Sequence, residues 1–236
     1  MLKVYAVKIP EDISDEDYQT LLSFTSFEKR EKIKKIKHMQ SQYQTLIGDI
    51  VIRLIILKNK LRQTNEEIEI EHNRFGKPGL KNEKSFMYNI SHSSEWVVCA
   101  ISSYKVGIDI EYKKPIELKY FEKVFSPEEL NDIRSKNTSK QQEYFYDLWT
   151  LKESYIKMIG EGFSYPVSTF TVKKNSIVDI QLINSINSRI PYFTQYNIDR
   201  NYTLSVCAEK ENFPKDVVIW SFSHLLMEIK ACSNTN

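Results

Sequence analysis

Glycine is scarce in this 236-residue chain, with only 6 in all. No G-x-G-x-x-G run and no P-loop is present, which removes the usual backbone cradles for the phosphates of NAD and ATP. Cysteine is scarcer still. Cys99, Cys207 and Cys232 are odd in number and widely spaced, so they form neither a zinc pattern nor a disulfide framework. Cys99 and Cys207 lie in apolar runs and read as small buried hydrophobes. An excess of one charge is also missing: Lys+Arg 33 against Asp+Glu 31 leaves +2. No global field argues for nucleic acid or a membrane surface, so any basic site has to be local. Long apolar runs are absent. The stretch from Ile50 to Leu57 is interrupted by Arg53, far short of the roughly 18 residues a membrane span needs. Met1 to Lys8 has no apolar signal core. A cytoplasmic globular protein, 41% hydrophobic and 27% charged, is the expectation.

The length suits one large domain or two of roughly 100 residues. Residues 2–8 read as a strand. Thr25-Ser26-Phe27-Glu28 offers a capping-box start to a basic helix, with Thr25 as the cap. A second helix is expected at 41–58, where Leu46, Ile50, Leu54 and Leu57 keep helical spacing. Phe75-Gly76-Lys77-Pro78-Gly79 reads as a connector. Strands are expected at 86–90, 95–103 and 106–111, with Ser91-His92-Ser93-Ser94 as a turn. Ser126-Pro127-Glu128-Glu129 is a well-formed helix start. A long helix follows at 141–159 and stops near Gly160 and Gly162. Further strands are expected at 168–174, 177–184, 191–198 and 202–209, before a polar, frayed tail from Ala231. The runs at Trp96 to Ala100 and Tyr202 to Ala208 look like counterparts. They suggest an α/β chain of two similar tandem halves, 1–105 and 106–236.

Two segments carry chemistry. If Val106-Gly107-Ile108-Asp109-Ile110-Glu111 is a strand, Gly107, Asp109 and Glu111 share one face. Adjacent carboxylates repel, and a hard divalent cation removes that repulsion; Mg²⁺ takes a few carboxylates plus substrate phosphate oxygens. On the helix, Trp149, Glu153 and Lys157 are spaced i, i+4, i+8. They offer a third carboxylate and a cation for phosphate. Taken alone, a strand Asp-x-Glu is also compatible with a charged edge, and a Glu/Lys pair with an ordinary surface helix pair. Asp109 with Glu111-Tyr112-Lys113 mimics a Mg²⁺-dependent nuclease site, although the near-zero net charge speaks against DNA binding. A non-catalytic docking module is a third alternative.

Together the two segments resemble the signature motifs of the Sfp-type 4′-phosphopantetheinyl transferases, approximately (V/I)G(I/V)D(I/V)E and (F/W)(S/T)xKE(S/A)xxK. Both are complete, in the family's order and approximate separation. Asn89-Ile90-Ser91-His92-Ser93 and Glu28-Lys29-Arg30-Glu31-Lys32 match two further family segments. The resemblance implies a pseudo-twofold duplication with the active site in the cleft between halves. It implies Mg²⁺-dependent transfer of the 4′-phosphopantetheine arm of coenzyme A to a serine hydroxyl of an apo carrier protein, releasing 3′,5′-ADP. Asp109, Glu111 and Glu153 match the metal ligands and Lys157 the pyrophosphate lysine. Glu153 is the first choice for the base that takes the serine proton, directly or through a metal-bound water, and Glu129 the second. Ser91 and His92 match phosphate contacts, and Lys29 and Lys32 the lysines that hold the 3′-phosphate. Thr45, Lys77 and Pro78 match positions around the adenosine end. The chain departs from the pattern at Gln44, where many members carry arginine, which loses one guanidinium fork for a phosphate. Carrier docking is expected at 113–135, with charge from Lys113, Lys114, Lys119 and Lys123 and apolar contact from Leu118, Tyr120, Phe121 and Phe125. A monomer serving nonribosomal peptide or polyketide synthases follows from the same likeness.

Overall fold

A computed structural model describes residues 1–177, 179–183 and 190–233. The first half opens with β1 (Lys3–Lys8) and passes through α1 (Asp15–Ser23), α2 (Phe27–Lys34) and the long helix α3 (Met39–Lys58). It returns through a hairpin, β2 (Ile70–His72) and β3 (Pro78–Leu80), to β4 (Met87–Ser93) and β5 (Trp96–Ser102). The second half repeats that order. β6 (Val106–Tyr112) leads to α4 (Pro127–Ser135) and the long helix α5 (Thr138–Ile159), then to a hairpin, β7 (Thr171–Lys174) and β8 (Ile180–Ile183), and to β9 (Tyr192–Tyr196) and β10 (Tyr202–Ala208). The sheets repeat as well: β1-β5-β4 in one and β6-β10-β9 in the other, antiparallel throughout. The expected mixed α/β duplication is present.

Strict alternation explains how the halves join. Leu2, Val4 and Ala6, with Trp96, Val98 and Ala100 of β5, meet Val106, Ile108 and Ile110 of β6 and Tyr202, Leu204 and Val206 of β10 in one buried cluster. The sheets pack back to back through these residues, so the intervening side chains point outward. Those of β1 and β5, such as Tyr5, Val7 and Cys99, meet Leu46, Ile47 and Ile50 of α3. Those of β6 face α5. Gly107 permits that approach, since a Cβ there would lie 2.0 Å from Ser154 O and 2.3 Å from Met158 N. Asp109 and Glu111, on the same face as Gly107, are thereby aimed at α5.

Several expectations are corrected. Ser26, not Thr25, caps α2, its Oγ accepting from Lys29 N at 3.3 Å. Thr25 instead donates to Leu22 O at the end of α1 (3.0 Å), a helix the sequence reading did not identify. Ser91, His92 and Ser93 do not form a turn: they continue β4, paired with Val98, Val97 and Trp96 of β5. The turn falls at Ser94, φ 47°. Beyond the second sheet the chain crosses back. β11 (Val218–Trp220) pairs in parallel with β1. α6 (Phe222–Ser233) follows, and Leu225 and Ile229 enter the core beneath α3. Residues 106–236 therefore do not form an uninterrupted second half; the frayed tail expected from Ala231 is α6 as far as Ser233, and 234–236 lie outside the described residues. The strand expected at 177–184 is observed as Ile180–Ile183, and its residues 178 and 184 lie outside the described residues. The starts and stops of α4 and α5 follow expectation. Ser126 and Glu129 form a reciprocal capping box, and Gly160 ends α5 at φ 80°. Among the described residues, no helix is long and apolar enough to cross a membrane.

Candidate active site

β6 and β4 lie side by side without strand pairing, and side chains of β4 fill the seam. Asn89 Oδ1 accepts from Ile108 N (2.9 Å). Ser91 Oγ donates to Asp109 Oδ1 (2.9 Å) and Ser93 Oγ to Glu111 Oε2 (2.9 Å). Each strand carboxylate thus has its own serine. From α5, Lys157 Nζ donates to Asp109 Oδ1 at 2.6 Å and to Ser91 Oγ at 2.9 Å. Glu153, one turn earlier, faces the same space, and Trp149 closes one side of a cavity of about 260 Å³.

The site is short of positive charge. Three carboxylates share one ammonium. Asp109 Oδ2 and Glu153 Oε1 are buried and have no hydrogen-bond partner. Burial and then the charge of Asp109 raise the Glu153 pKa to about 7, with Glu111 adding to the rise and Lys157 opposing it. Glu111 is raised by burial and then by Asp109, while its hydrogen bond from Ser93 pulls the other way. Two orphaned carboxylate oxygens in a strongly anionic pocket fit a hard divalent cation completed by phosphate oxygens. Among the described residues, no three His, Cys, Asp or Glu are gathered closely enough to hold an ion unaided.

A second cavity, of about 750 Å³, adjoins the first, and Ile90 and His92 line both. It runs along α3 to the basic helix α2, where Lys29 and Lys32 face it together with Thr45 and Pro78. Desolvation, then the Lys157 ammonium, hold the His92 pKa below its ordinary value. Gln44 also lines the cavity, and its Nε2 donates to Ser94 O at 2.9 Å, tying α3 to the β4–β5 turn.

Of the expected site residues, Asp109, Glu111, Glu153, Lys157, Ser91 and His92 surround the smaller cavity. Lys29, Lys32, Thr45 and Pro78 surround the larger. Two are placed elsewhere. Lys77 lines neither cavity, and its ammonium sits on backbone carbonyls at the end of α5 and the start of β6. Glu129 is corrected as an alternative base. It is 1% exposed and belongs to the fold: it caps α4, accepts from Val172 N (2.7 Å), and is held by Lys152 at 2.7 and 2.8 Å. Ser93 and Asn89 were missed as site residues. The signal was the alternation Asn89, Ser91, Ser93, which appears only when the segment is read as a strand rather than a turn.

Comparison with known proteins shows the family. The family model of the 4′-phosphopantetheinyl transferase superfamily matches residues 105–207, and that of the 4′-phosphopantetheinyl transferase N-terminal region matches residues 12–104. 4′-Phosphopantetheinyl transferase Sfp of Bacillus subtilis is 36% identical over 227 residues, covering 95% of this chain and 100% of the relative. 4′-Phosphopantetheinyl transferase psf-1 of Bacillus pumilus is 32% identical over 232 residues, 97% of this chain and 99% of the relative. A third relative, 4′-phosphopantetheinyl transferase gsp of Aneurinibacillus migulanus, is 39% identical over 175 residues, 74% and 73% of the two chains. The chain belongs to the Sfp-type 4′-phosphopantetheinyl transferase family.

Proposed function

We propose that the paired cavities bind coenzyme A with its 3′-phosphate at Lys29 and Lys32 and its pyrophosphate between His92 and Lys157. The reaction is transfer of the 4′-phosphopantetheine arm to a serine hydroxyl of an apo carrier protein, with release of 3′,5′-ADP. The observation that carries the binding mode is the continuity of the two cavities through Ile90 and His92. A basic entrance leads by that route to a site where carboxylates and an ammonium converge. The halves divide the work: β4 and α3 supply one wall, β6 and α5 the other.

In this reading the Lys157 ammonium neutralises charge on the pyrophosphate, and Ser91 and His92 fix its orientation. Glu153 accepts the serine proton. Before any metal binds, burial and the neighbouring carboxylates already raise its proton affinity. Asp109, Glu111 and Glu153 would hold a magnesium ion, which when bound neutralises charge building on the leaving phosphate. The carrier docks by its acidic helix on the segment after β6. The apolar part of that surface reduces to Tyr120, 72% exposed. Phe125 is buried, and Leu118 and Phe121 pack on the α4–α5 core. Lys113, Lys114 and Lys123 supply the charge, and Lys119 pairs with Glu117 at 2.5 Å. A monomer working in the cytoplasm on nonribosomal peptide or polyketide carriers completes the proposal.

Incubation with coenzyme A, Mg²⁺ and a panel of apo peptidyl, acyl and aryl carriers, read by intact-protein mass spectrometry, tests it. The expected result is one added phosphopantetheine arm per carrier serine, abolished by chelator and restored by Mg²⁺. No mass gain on any carrier from a folded sample would overturn the reaction, and turnover persisting in chelator would remove the metal.

A further inference from the structure

Lys77 belongs to the tip of the β2–β3 hairpin in the first half, yet its ammonium is spent on the second half. Nζ donates to Lys157 O (2.5 Å) and Met158 O (3.2 Å) in the last turn of α5, and to Val106 O (3.0 Å) at the start of β6. The last carbonyls of a helix have no partner within it and favour a cation. One ammonium thus ties together the two backbone segments that carry Lys157 and Asp109, whose side chains meet at 2.6 Å. The tip is shaped for this task. Asn73 Oδ1 accepts from Phe75 N and Lys77 N, both at 2.9 Å, and Asn73 Nδ2 donates to Gly160 O at 2.8 Å. Gly76 turns the tip at φ 87°. The Lys77 stem packs on Gly160, where an added Cβ would lie 2.8 Å from Lys77 Cδ. Burial lowers the Lys77 pKa to about 8, so the ammonium is still mostly charged at neutral pH. His72 and Pro78, on the two strands of the same hairpin, line the larger cavity.

We infer that Lys77 is a positioning residue for the transfer reaction. It clasps the hairpin that borders the nucleotide cavity onto the ends of α5 and β6, and so fixes the relative placement of Lys157 and Asp109. The inference rests on the reaction proposed above. It also separates Lys77 from Lys29 and Lys32: a positioning residue acts on turnover, whereas a substrate contact acts on affinity.

The experiment is steady-state kinetics of Lys77→Met, which keeps the stem and removes the donors, alongside wild type on apo carrier. The expected result is a fall in kcat of about tenfold to a hundredfold, the scale of a misplacement near 1 Å. KM for coenzyme A should change less than kcat, because the clasped hairpin borders the larger cavity while Lys77 itself lines neither. In Lys77→Ala, added ethylammonium should recover part of kcat, which a fold-stabilising cosolvent such as sucrose should not. A raised KM with unchanged kcat would overturn the inference in favour of a substrate contact. A lowered Tm with unchanged kcat would reduce Lys77 to a structural cap and overturn it equally. Should Lys77→Met fail to fold, Asn73→Ala removes the neighbouring cross-half bond, and unchanged kcat in that variant counts against the clasp. A wild type that transfers nothing overturns the reaction itself; an active wild type matched by Lys77→Met overturns this inference alone.

Discussion

Replacing Glu153 by glutamine should slow the enzyme and stabilise the metal-free fold at once. The carboxylate is 8% exposed, lies beside Asp109 and Glu111, and has one oxygen without a partner. Its pKa rises from 4.5 to about 7, by burial first and the neighbouring charges next. The folded chain therefore holds this proton more tightly than the unfolded chain. Between pH 4.5 and 7 the native state binds more protons, so stability falls as pH rises through that window. Above it, the ionised group costs the metal-free fold roughly 3 kcal/mol. Glutamine keeps the volume and carries no charge. In chelator at pH 8, Glu153→Gln should melt roughly 6–12 °C above wild type, and the difference should vanish near pH 4. The amide cannot take the serine proton, so kcat should drop by about 10²–10⁴. Thermal melts at the two pH values and carrier turnover followed by mass spectrometry measure both effects. A variant that melts no higher than wild type at pH 8 would refute the electrostatic account. Near-normal kcat, or full recovery at high Mg²⁺, would move the base away from Glu153.

Three further outcomes are expected. Gly107→Ala places a methyl 2.0 Å from Ser154 O, so α5 must lift from β6; thermal melts should show a loss of at least about 1–3 kcal/mol, and turnover should fall with it. Lys152→Met leaves Glu129 buried without its cation and should destabilise by about 3–5 kcal/mol in denaturant titrations, with Lys152→Met/Glu129→Gln recovering much of it. Truncating Lys29 and Lys32 to alanine should raise KM for coenzyme A while kcat holds, and should erase the preference for coenzyme A over dephospho-coenzyme A; an intact preference would make α2 only a solvated face.

Features decided by local chemistry were legible in the sequence. Ser126, Pro127 and Glu129 announced α4 because Ser126 and Glu129 accept from N–H groups of the first turn and Pro127 brings no N–H to leave unpaired. Gly160 announced the end of α5 because only a residue tolerant of positive φ fits there. The period of two placed Asp109 and Glu111 on one face, and the structure adds what that face meets. Where two local readings competed, the sequence misled. Ser91-His92-Ser93 has turn composition, but pairing with Trp96, Val97 and Val98 overrides it. Lys77 and Glu129 could not be placed because their partners, the end of α5 for one and Lys152 for the other, are remote in sequence. The same holds for β11, three residues long and recognisable only beside β1. Phe222, Leu225, Leu226 and Ile229 carry helical spacing, a local signal of α6.

Duplication gives the chain two equivalent strands, β1 and β6, each with one edge left over after pairing with its own sheet. In the shared core Val4 and Ala6, paired with Ala100 and Val98, answer to Val106 and Ile108, paired with Ala208 and Val206, so on the outer face Tyr5 and Val7 occupy the places of Gly107 and Asp109. The edge of β6 is left open to side-chain chemistry with β4. The edge of β1 has neither carboxylates nor a seam, and β11 takes it by parallel pairing. An unpaired edge of this kind invites strand addition from another molecule. The short return of the chain thus acts as a stopper: it retires the idle twin of the active groove and denies neighbouring molecules a template for aggregation.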